Sequence, residues 1–529
     1  RRQRQMCIRD STRGPFTASQ LAHTFALGRA VVHDGLQRLV HRGRTVEGEL
    51  RPLGQGDGGS DYCDAEVLRV LKRRSRAARR SEGEPVAATA FARFLPAWQG
   101  VGTGQRGTDG VLRAVEQLAG ARFPASALEP LILPARVERY NPAMLDELMT
   151  AGDVVWQGHG SLPGDDGWIS LHLGDQLEAT LQPPDDADTS DELEQAVIAA
   201  MAGGGAHFFG AISAAVRAEH EAGETQVADA LWRLAWAGRV TGDTLAPLRA
   251  LLSGGRSTHR TRATGPRRSR YGRAVGLQGG LRSGLARPAS AIRAPATPTV
   301  VGRWWLFGEL RPDPTLRSLA TAEVLLDRYG VVTRGSVVAE GIPGGFAETY
   351  RVLAAAEERG KVRRGYFVEG LGAAQFAGAG AIDRLRARPV EAAPRNPWDV
   401  VPQGAVEALV LAATDPANAY GAALPWPSRP DEGGHRPGRK SGSLVALVDG
   451  ELVAYIERGG RSVLTWDDTP ERADAVARAL AATVRDGRLA DLSVHSIDGV
   501  PALTSPHPLA TALKDNGFHT TPKGLRLRR

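Results

Sequence analysis

The sequence predicts a mainly α-helical protein of reused small domains with β wings, followed by a C-terminal α+β domain with an antiparallel meander. One helix-to-strand pattern recurs four times, and helical periodicity precedes each copy. Only the region after about residue 404 shows the alternation and tight turns of a β-meander. Because 529 residues are too many for one core, several domains are expected.

The recurring pattern is clearest in the stretch YGVVTRGSVVAEGIPGGFAETYRVLAAAEERGKVRRGYFVEGLGAAQF, which begins at Tyr329. Thr333 is a suitable N-cap for a short helix that continues to Glu340. The segment from Gly341 to Gly345 then predicts a turn, because proline restricts φ and glycine permits positive φ.

A second helix follows the turn and ends at Gly360, and then Lys361 to Val368 predicts a strand and a wing with three cations. Helix, tight turn, helix and basic wing is typical of a winged helix-turn-helix domain, which binds DNA. One helix face is apolar, with Phe346, Tyr350, Leu353 and Ala354.

The end of this second helix has counterparts at three earlier places, each with a glycine at the site of a left-handed cap and a β-branched residue soon after it. The sets are Leu36, Leu39 and Gly43; Leu145, Leu148 and Gly152; Leu231, Leu234 and Gly238; and Leu353 with Gly360. A single copy is typical of many helix-to-strand junctions. Four copies favour tandem winged helices with different inserts.

We divide the chain into segments with different predicted roles. They are 1–11, a non-native segment; 12–60, winged helix 1; 61–100, a helical connector; 101–183, winged helix 2; 191–252, winged helix 3; 253–297, a disordered Arg-rich linker; 298–388, winged helix 4; and 404–529, the α+β domain. The opening RRQRQMCIRDS is typical of translated adapter sequence, with a basic arm as the alternative. Because position 1 is not Met, we expect the chain to be the C-terminal part of a longer protein.

The C-terminal domain has the clearest β pattern. GSLVALVDGELVAYIERGGRSVLTW predicts a meander with turns at Asp449-Gly450 and Gly459-Gly460. A helix in ERADAVARALAATVRD follows, then a strand pair, a second helix and the basic strand KGLRLRR.

Positive charge is concentrated in one segment. The net charge is +7, and ten arginines without any acid lie within 253–297, so the remainder sums to about −3. Nucleic-acid affinity of the folded domains must therefore come from local patches. With only Cys7 and Cys63, no secretory signal and no apolar run near the roughly 18–20 residues of a membrane span, we expect a cytoplasmic, nucleoid-associated protein without a membrane partner.

Motifs for ATP hydrolysis and metal catalysis are missing from the sequence. Val362 follows Gly360-Lys361 where a phosphate loop needs Ser or Thr, and there is no nucleophile elbow, H-E-x-x-H or zinc-finger spacing. We therefore expect no ATPase, cofactor or metal site in this chain. The catalytic residue of any enzymatic activity is unassigned, and the candidates are Glu369, Asp415 and Asp515.

Three groups of cations are candidates for DNA contact. They are the wing residues Lys361, Arg363 and Arg364; Arg436, Arg439 and Lys440 of the turn-prone HRPGRKSG; and Arg458 and Arg461, which flank a tight turn and could extend the patch of the second group. A mobile surface loop is the alternative for the second group. The helix before the wing is poor in cations, so we expect the wing to meet DNA. Trp304 and Trp305 favour a core role over base stacking.

Long segments of the chain resemble the C-terminal region of Lhr-type (large helicase-related) superfamily 2 DNA helicases. These include the stretch described above, ALVLAATDPANAYGAALPWP, GHRPGRKSGSLVALVDGELVAYIERGGRSVLTW and the closing TPKGLRLRR. CDAEVLRVLKRRS, ARFLPAWQG, ALEPLILPARVERYNPAMLDEL and LWRLAWAGRVTGDTLAPLRALL resemble it too. The likeness covers nearly all of 12–529 except the Arg-rich linker.

The resemblance implies a parent protein with an N-terminal ATPase core that uses ATP and Mg²⁺ and translocates 3′ to 5′ on DNA during repair. Single-stranded or tailed DNA and a homo-oligomer are the implied partners. The family region is also similar to winged-helix DNA glycosylases, whose Gln-x-Gln signature occurs here only at Gln3-Arg4-Gln5. We carry three hypotheses forward: a DNA-binding and assembly region, an ATP-independent uracil-type glycosylase, and a structural oligomerisation region.

Overall fold

The computed structural model describes most of the chain, which forms two compact parts, Arg1–Pro85 and Val86–Arg529. The described residues are 14–50, 60–71, 84–184, 191–254, 300–308, 313–372, 374–387, 406–429 and 436–529. The predicted non-native segment and almost all of the Arg-rich linker lie outside them, as do residues 185–190 and 394–402. Within the described ranges no helix has the length and apolar character to cross a bilayer, and no cluster of side chains is suited to a metal ion.

Four three-stranded antiparallel sheets repeat one strand order, in which the last strand of each unit lies between the other two. The first unit contains β1 (Phe16–Thr17), α1 (Ala18–Phe25), α2 (Arg29–His41), β2 (Thr45–Gly48) and β3 (Asp61–Asp64). Because β3 pairs with both β1 and β2, the unit extends beyond the predicted end at residue 60. The predicted connector therefore begins after this strand.

The second unit has longer strands than the others. It contains α3 (Ala88–Trp98), α4 (Gly107–Leu118), β4 (Phe123–Pro124), α5 (Ala125–Ala127), a π-helical turn (Leu128–Ile132), α6 (Leu133–Arg136), α7 (Pro142–Ala151), β5 (Val154–Leu162), β6 (Asp166–Leu173) and α8 (Leu177–Thr180). The hairpin of β5 and β6 is the wing of this unit.

The third unit takes its last strand from beyond the Arg-rich linker. It contains α9 (Glu192–Met201), β7 (His207–Phe208), α10 (Phe209–Glu219), α11 (Glu224–Trp236), β8 (Val240–Gly242), α12 (Ala246–Gly254) and β9 (Arg303–Leu306). Strand β9 pairs with β7 and β8, so the prediction that residues from 298 onwards belong to the fourth unit is corrected. Trp304 is fully buried, as a core role predicts, and Trp305 is half-buried against Phe307.

The fourth unit is the stretch from which the fold was first predicted. It contains α13 (Pro314–Tyr329), β10 (Val331–Val332), α14 (Arg334–Ala339), α15 (Gly345–Glu358), β11 (Arg363–Gly365), β12 (Gln375–Ala377) and α16 (Ala381–Arg386). Thr333 caps α14 as predicted, and its hydroxyl accepts from the Ser336 amide at 3.2 Å.

The glycine that ends the helix before each wing has the left-handed conformation that the repeat predicted. The φ angles are 67° at Gly43, 86° at Gly152, 72° at Gly238 and 73° at Gly360. A left-handed residue ends a helix and satisfies its last carbonyl groups, and glycine adopts it without the strain that a Cβ atom adds. The repeat is therefore a true structural repeat.

Tryptophans and glycines join the second and third units. Trp232 and Trp236 of α11 stack with their ring centroids 5.5 Å apart, beside Trp156 of β5. A Cβ atom on Gly158 would lie 2.1 Å from the Ala235 carbonyl oxygen, and one on Gly167 would lie 2.4 Å from the Trp236 ring. Helix α11 thus packs directly on the wing of the second unit.

The C-terminal module combines a six-stranded and a three-stranded sheet, with strand orders β13-β14-β15-β16-β18-β19 and β17-β21-β20. Its elements are β13 (Ala408–Ala412), β14 (Leu444–Val448), β15 (Glu451–Ile456), β16 (Ser462–Thr465), α17 (Pro470–Arg485), β17 (Asp491–Val494), β18 (Ser496–Ile497), β19 (Val500–Pro501), α18 (Pro508–Asp515), β20 (His519–Thr521) and β21 (Gly524–Arg528). The predicted meander is confirmed by the antiparallel pairing of β13 to β16.

A buried polar junction connects the second unit, the fourth unit and the C-terminal module. Arg136 donates to both carboxylate oxygens of Asp415, at 3.1 and 2.7 Å, and both side chains are almost fully buried. Gln99 accepts from Arg136 at 2.7 Å and donates to the Arg328 carbonyl at 3.0 Å. Removing one partner of such a pair leaves a buried charge, so the junction fixes how these parts are joined.

Candidate nucleic-acid interface

A pocket of 720 Å³ opens in the C-terminal module, between the segment before β14 and the turn before β16. The stretches 440–444 and 456–461 line it, together with Leu489, Asp491 and Leu492. Lys440 and the two arginines that were expected to extend its patch, Arg458 and Arg461, therefore share one pocket.

The turn that carries two of these cations depends on glycine. Gly459 and Gly460 have φ angles of 72° and 70°, and a Cβ atom on Gly460 would lie 1.7 Å from the Ser493 carbonyl oxygen. The turn is closed by the Gly460 amide, which donates to the Glu457 carbonyl at 2.8 Å. Strand β17 thus supports the turn from behind, and Arg458 and Arg461 project from a defined backbone.

Positive charge prevails over negative charge in this pocket. Arg458 and Arg461 are exposed and have no ion pair in the described part of the chain, whereas Asp491 accepts from Arg526 Nε at 3.0 Å. Lys440 Nζ lies 4.0 Å from a Glu457 oxygen, a distance at which an exposed ion pair is weak. An anion is therefore the ligand that this pocket suits.

One hydroxyl of the lining segment is buried without a partner. Ser441 Oγ has no hydrogen-bond partner among the described groups although the atom itself is buried. A buried polar atom without a partner is energetically unfavourable. The signal for this residue in the sequence was only its place in RKSGS, and Asp491 with Arg526 gave no local signal.

Arg439 has a structural role, which corrects its prediction as a phosphate contact. Its guanidinium donates to four carbonyl oxygens, at 2.8 to 3.5 Å, and burial lowers its pKa. These acceptors are Asn418, Tyr420, Thr414 and Asp415, so Arg439 fixes the segment after β13. Arg436 is exposed on the same segment, and remains a candidate contact.

The wing of the fourth unit has three exposed cations, one of which is held in an ion pair. Arg364 is held within the unit, because it pairs with Glu357 at 3.1 Å and donates to the Tyr350 hydroxyl at 2.6 Å. Lys361 and Arg363 are exposed and have no ion pair in the ranges that the structure describes.

The three candidate carboxylates have different environments. Asp415 is part of the buried junction, which corrects its place as a catalytic candidate, since no substrate reaches a side chain that is 1% exposed. Glu369 is exposed after β11, and Asp515 is exposed at the end of α18. No hydrogen bond or ion pair among the described residues joins any two of them.

A second polar cluster, missed at the sequence level, lies on the wing of the second unit. Ser170 Oγ is 2.7 Å from His159 Nε2 and 2.6 Å from His172 Nε2, and His172 Nδ1 is 3.0 Å from the Thr180 hydroxyl. Burial lowers the pKa of both rings to about 3, so both are neutral at pH 7. Since a hydroxyl has one hydrogen, one ring must donate to Ser170, and the cluster fixes the hairpin.

Two family models, both described as Large helicase-related protein, winged-helix domain, match residues 86–174 and 311–397. The chain is 45% identical, over 98% of its length, to a protein of Mycolicibacterium smegmatis named Lhr helicase/ probable uracil glycosylase. It is 38% identical, over 96% of its length, to Lhr helicase/uracil glycosylase of Escherichia coli. The chain belongs to the Lhr family.

The match covers 33% and 32% of these two relatives, so the chain spans about a third of the length of the curated relatives it matches. The two Lhr winged-helix domains correspond to the second and fourth units of the structure. The matched range of the second unit begins at residue 86 and includes α3, which was predicted as part of a connector.

Proposed function

We propose that this chain is the DNA-binding and assembly region of an Lhr-type ATP-dependent 3′ to 5′ helicase that acts in DNA repair. The observation that carries the proposal is the pocket around Lys440, Arg458 and Arg461, in a chain of tandem winged helices. ATP hydrolysis is assigned to other parts of the parent protein, since the chain has no nucleotide-binding motif.

The pocket supports binding through the sugar-phosphate backbone. Guanidinium groups bind phosphate oxygens with two parallel hydrogen bonds, and the glycine-rich turn leaves space for a chain to approach. Contacts of this kind position DNA without reading its sequence. Single-stranded or tailed DNA is the preferred form, because a flexible strand can place one phosphate in a concave pocket.

Lys361 and Arg363 in the wing of the fourth unit form a second phosphate contact in this proposal. Both side chains are exposed on either side of a buried valine, Val362, whose packing holds the wing in place. The wing adds affinity, and its contacts depend on ionic strength in the same way as those of the pocket.

The test is the affinity for labelled single-stranded DNA in a salt series, measured by fluorescence anisotropy with the whole chain. Arg458→Ala with Arg461→Ala should lower the affinity about tenfold and reduce the salt slope by about 1.4, because each single-strand phosphate contact contributes about 0.7. Lys514→Ala with Lys523→Ala removes two exposed cations outside the pocket and serves as the matched control. Equal losses for both double variants would refute the pocket as the binding site.

Base excision is the second candidate function, and the names of both relatives favour it, since each includes uracil glycosylase. The purified chain is incubated with uracil-containing single strands without ATP and then treated with alkali. Strand cleavage at the uracil supports this function. Intact strands, together with normal DNA binding, leave only the binding function.

Self-association is the third function, and it rests on the resemblance to Lhr proteins. Static light scattering on the whole chain gives the number of copies, and the salt series above is repeated at the same concentrations. A monomer that binds DNA in a salt-sensitive way would rule out a purely structural oligomerisation region.

A further inference from the structure

The helices that precede the wing in the four winged-helix units differ in charge. Counted from the start of each helix through the residue after its cap glycine, α2 has four arginines and one acid over 29–44. Helix α7 has three acids and no Lys or Arg over 142–153, and α11 and α15 each carry as many acids as Lys and Arg. Of these four helices only α2 has a net positive charge, and the helix before the wing is the one that enters a DNA groove in this fold.

Two of the other helices that precede a wing are partly covered within Val86–Arg529. One side of α7 is bound by the third unit, because Asp146 accepts from Arg249 at 2.8 Å and from the Leu245 amide at 3.0 Å. Helix α11 packs on the wing of the second unit through Trp232 and Trp236. Both helices keep exposed residues, but the only Lys or Arg within 142–151 and 224–236, Arg233, is held in two ion pairs.

The fourth unit leaves α15 partly exposed but gives it no attraction for phosphate. Arg351 and Arg359 are exposed. Together with the following Lys361 they carry three positive charges, which the carboxylates of Glu348, Glu357 and Glu358 offset. Glu357 is also the partner of Arg364, so a carboxylate lies between the helix and its wing.

Helix α2 is attached to its unit by a narrow apolar stripe and leaves a wide face exposed. Its buried residues are Val32, Leu36 and Leu39. Val31 is 64% exposed, and Arg29, Arg42 and Arg44 are exposed without an ion pair in the described part of the chain. Arg38 pairs with Asp34, but both side chains are more than 60% exposed, so DNA can displace this pair at low cost.

We propose that α2 is the helix with which this chain binds duplex DNA, by insertion into the major groove. The inference rests on the proposed DNA-binding function and adds a duplex-binding element in a different domain from the pocket. A helix with its side chains is 10–12 Å wide and matches the groove width of about 12 Å. The arginines contact phosphates on the groove walls, and Val31 contacts a base edge, for which the thymine methyl group is the apolar partner.

The experiment compares a blunt duplex with a single strand of equal length, using the whole chain. Arg29→Ala with Arg42→Ala should reduce the salt slope for the duplex by about two and the affinity about tenfold, and leave single-strand affinity within about twofold. The matched control is Arg351→Ala with Arg359→Ala, which removes a mid-helix and a cap arginine from α15. This control should leave both affinities within about twofold.

A second variant tests the orientation of the helix. Val31→Glu places a negative charge on the exposed face without touching the core, and it should weaken duplex binding at least as much as the arginine pair. Circular dichroism spectra identical to the unmodified chain confirm that each variant folds.

The outcomes separate the inference from the function on which it rests. Unchanged duplex affinity of the α2 variants, with a loss for Arg458→Ala and Arg461→Ala on single strands, overturns the inference and keeps the proposed function. Equal losses for α2 and α15 variants also overturn it. If the unmodified chain binds neither the duplex nor the single strand, the proposed function is refuted, and the inference with it.

Discussion

Helices α2 and α11 have the same length, end in the same leucine and glycine pattern, and have different environments. Both have 13 residues, but seven are buried in α11 and three in α2. The four extra buried residues lie mainly on the face that meets the second unit, where Trp232 and Trp236 contact β5. A repeated domain can therefore use one helix to bind a neighbour and leave the corresponding helix of another copy free for a ligand.

The largest effect should come from removing the aromatic contact of α11. Trp232→Ala leaves a cavity beside Trp156 and Trp304, and should cost about 3–5 kcal/mol. Val31→Ala on α2 is the counterpart and should change stability by less than about 0.5 kcal/mol, because its side chain is 64% exposed. Hydrogen–deuterium exchange of the two helices measures both. Equal protection losses would mean that the environments do not differ in energy.

A glycine pair tests the same comparison through added atoms. Gly158→Ala should destabilise the second unit by about 3 kcal/mol, since its Cβ would overlap the Ala235 carbonyl oxygen of α11. Gly35→Ala within α2 has no atom within 4 Å of the new Cβ, and should stabilise the helix by up to about 1 kcal/mol. Thermal unfolding of each variant shows whether the substitution lowers or raises its stability. A neutral Gly158→Ala would show that the two units can move apart freely.

The smallest of these effects concerns pH and the wing on which α11 packs. Burial lowers the pKa of His172 from 6.5 to about 3, so between these values the unfolded chain holds a proton that the folded ring excludes. Its contribution to stability is complete above pH 6.5 and decreases as the pH falls, by about 2 kcal/mol at pH 5. Denaturant titrations at pH 7.5 and pH 5 should show this loss in the unmodified chain and a smaller one in His172→Gln. The same loss in both chains would assign the pH dependence to other groups.

Much of the local structure was predictable from the residues. Thr333, the turn from Gly341 to Gly345 and the cap glycines act within a few residues of the chain, and their conformations follow from sterics and from local hydrogen bonds. The turns of the meander belong to the same class, since Asp449 and Gly450 both have positive φ.

The cations of the candidate site were predictable, and the residues that surround them were not. Lys440, Arg458 and Arg461 were singled out because cations beside tight turns are exposed, and the structure unites them in one pocket. Asp491, Arg526 and the buried hydroxyl of Ser441 were missed, because each acquires its role from a strand or segment that is distant in sequence.

The sequence by itself determined the repeat of helix, cap glycine and strand, the meander, and the positive charge of α2, since these depend on neighbours along the chain. Tertiary structure alone decided that β9, which follows the linker, completes the third sheet, and that Asp415 forms an ion pair with Arg136. It also decided which cations stay exposed. The difference between Arg436 and Arg439 shows the reason. Both lie in one short segment, but only Arg439 meets four carbonyl oxygens, which the fold brings together from residues 19 to 25 positions away.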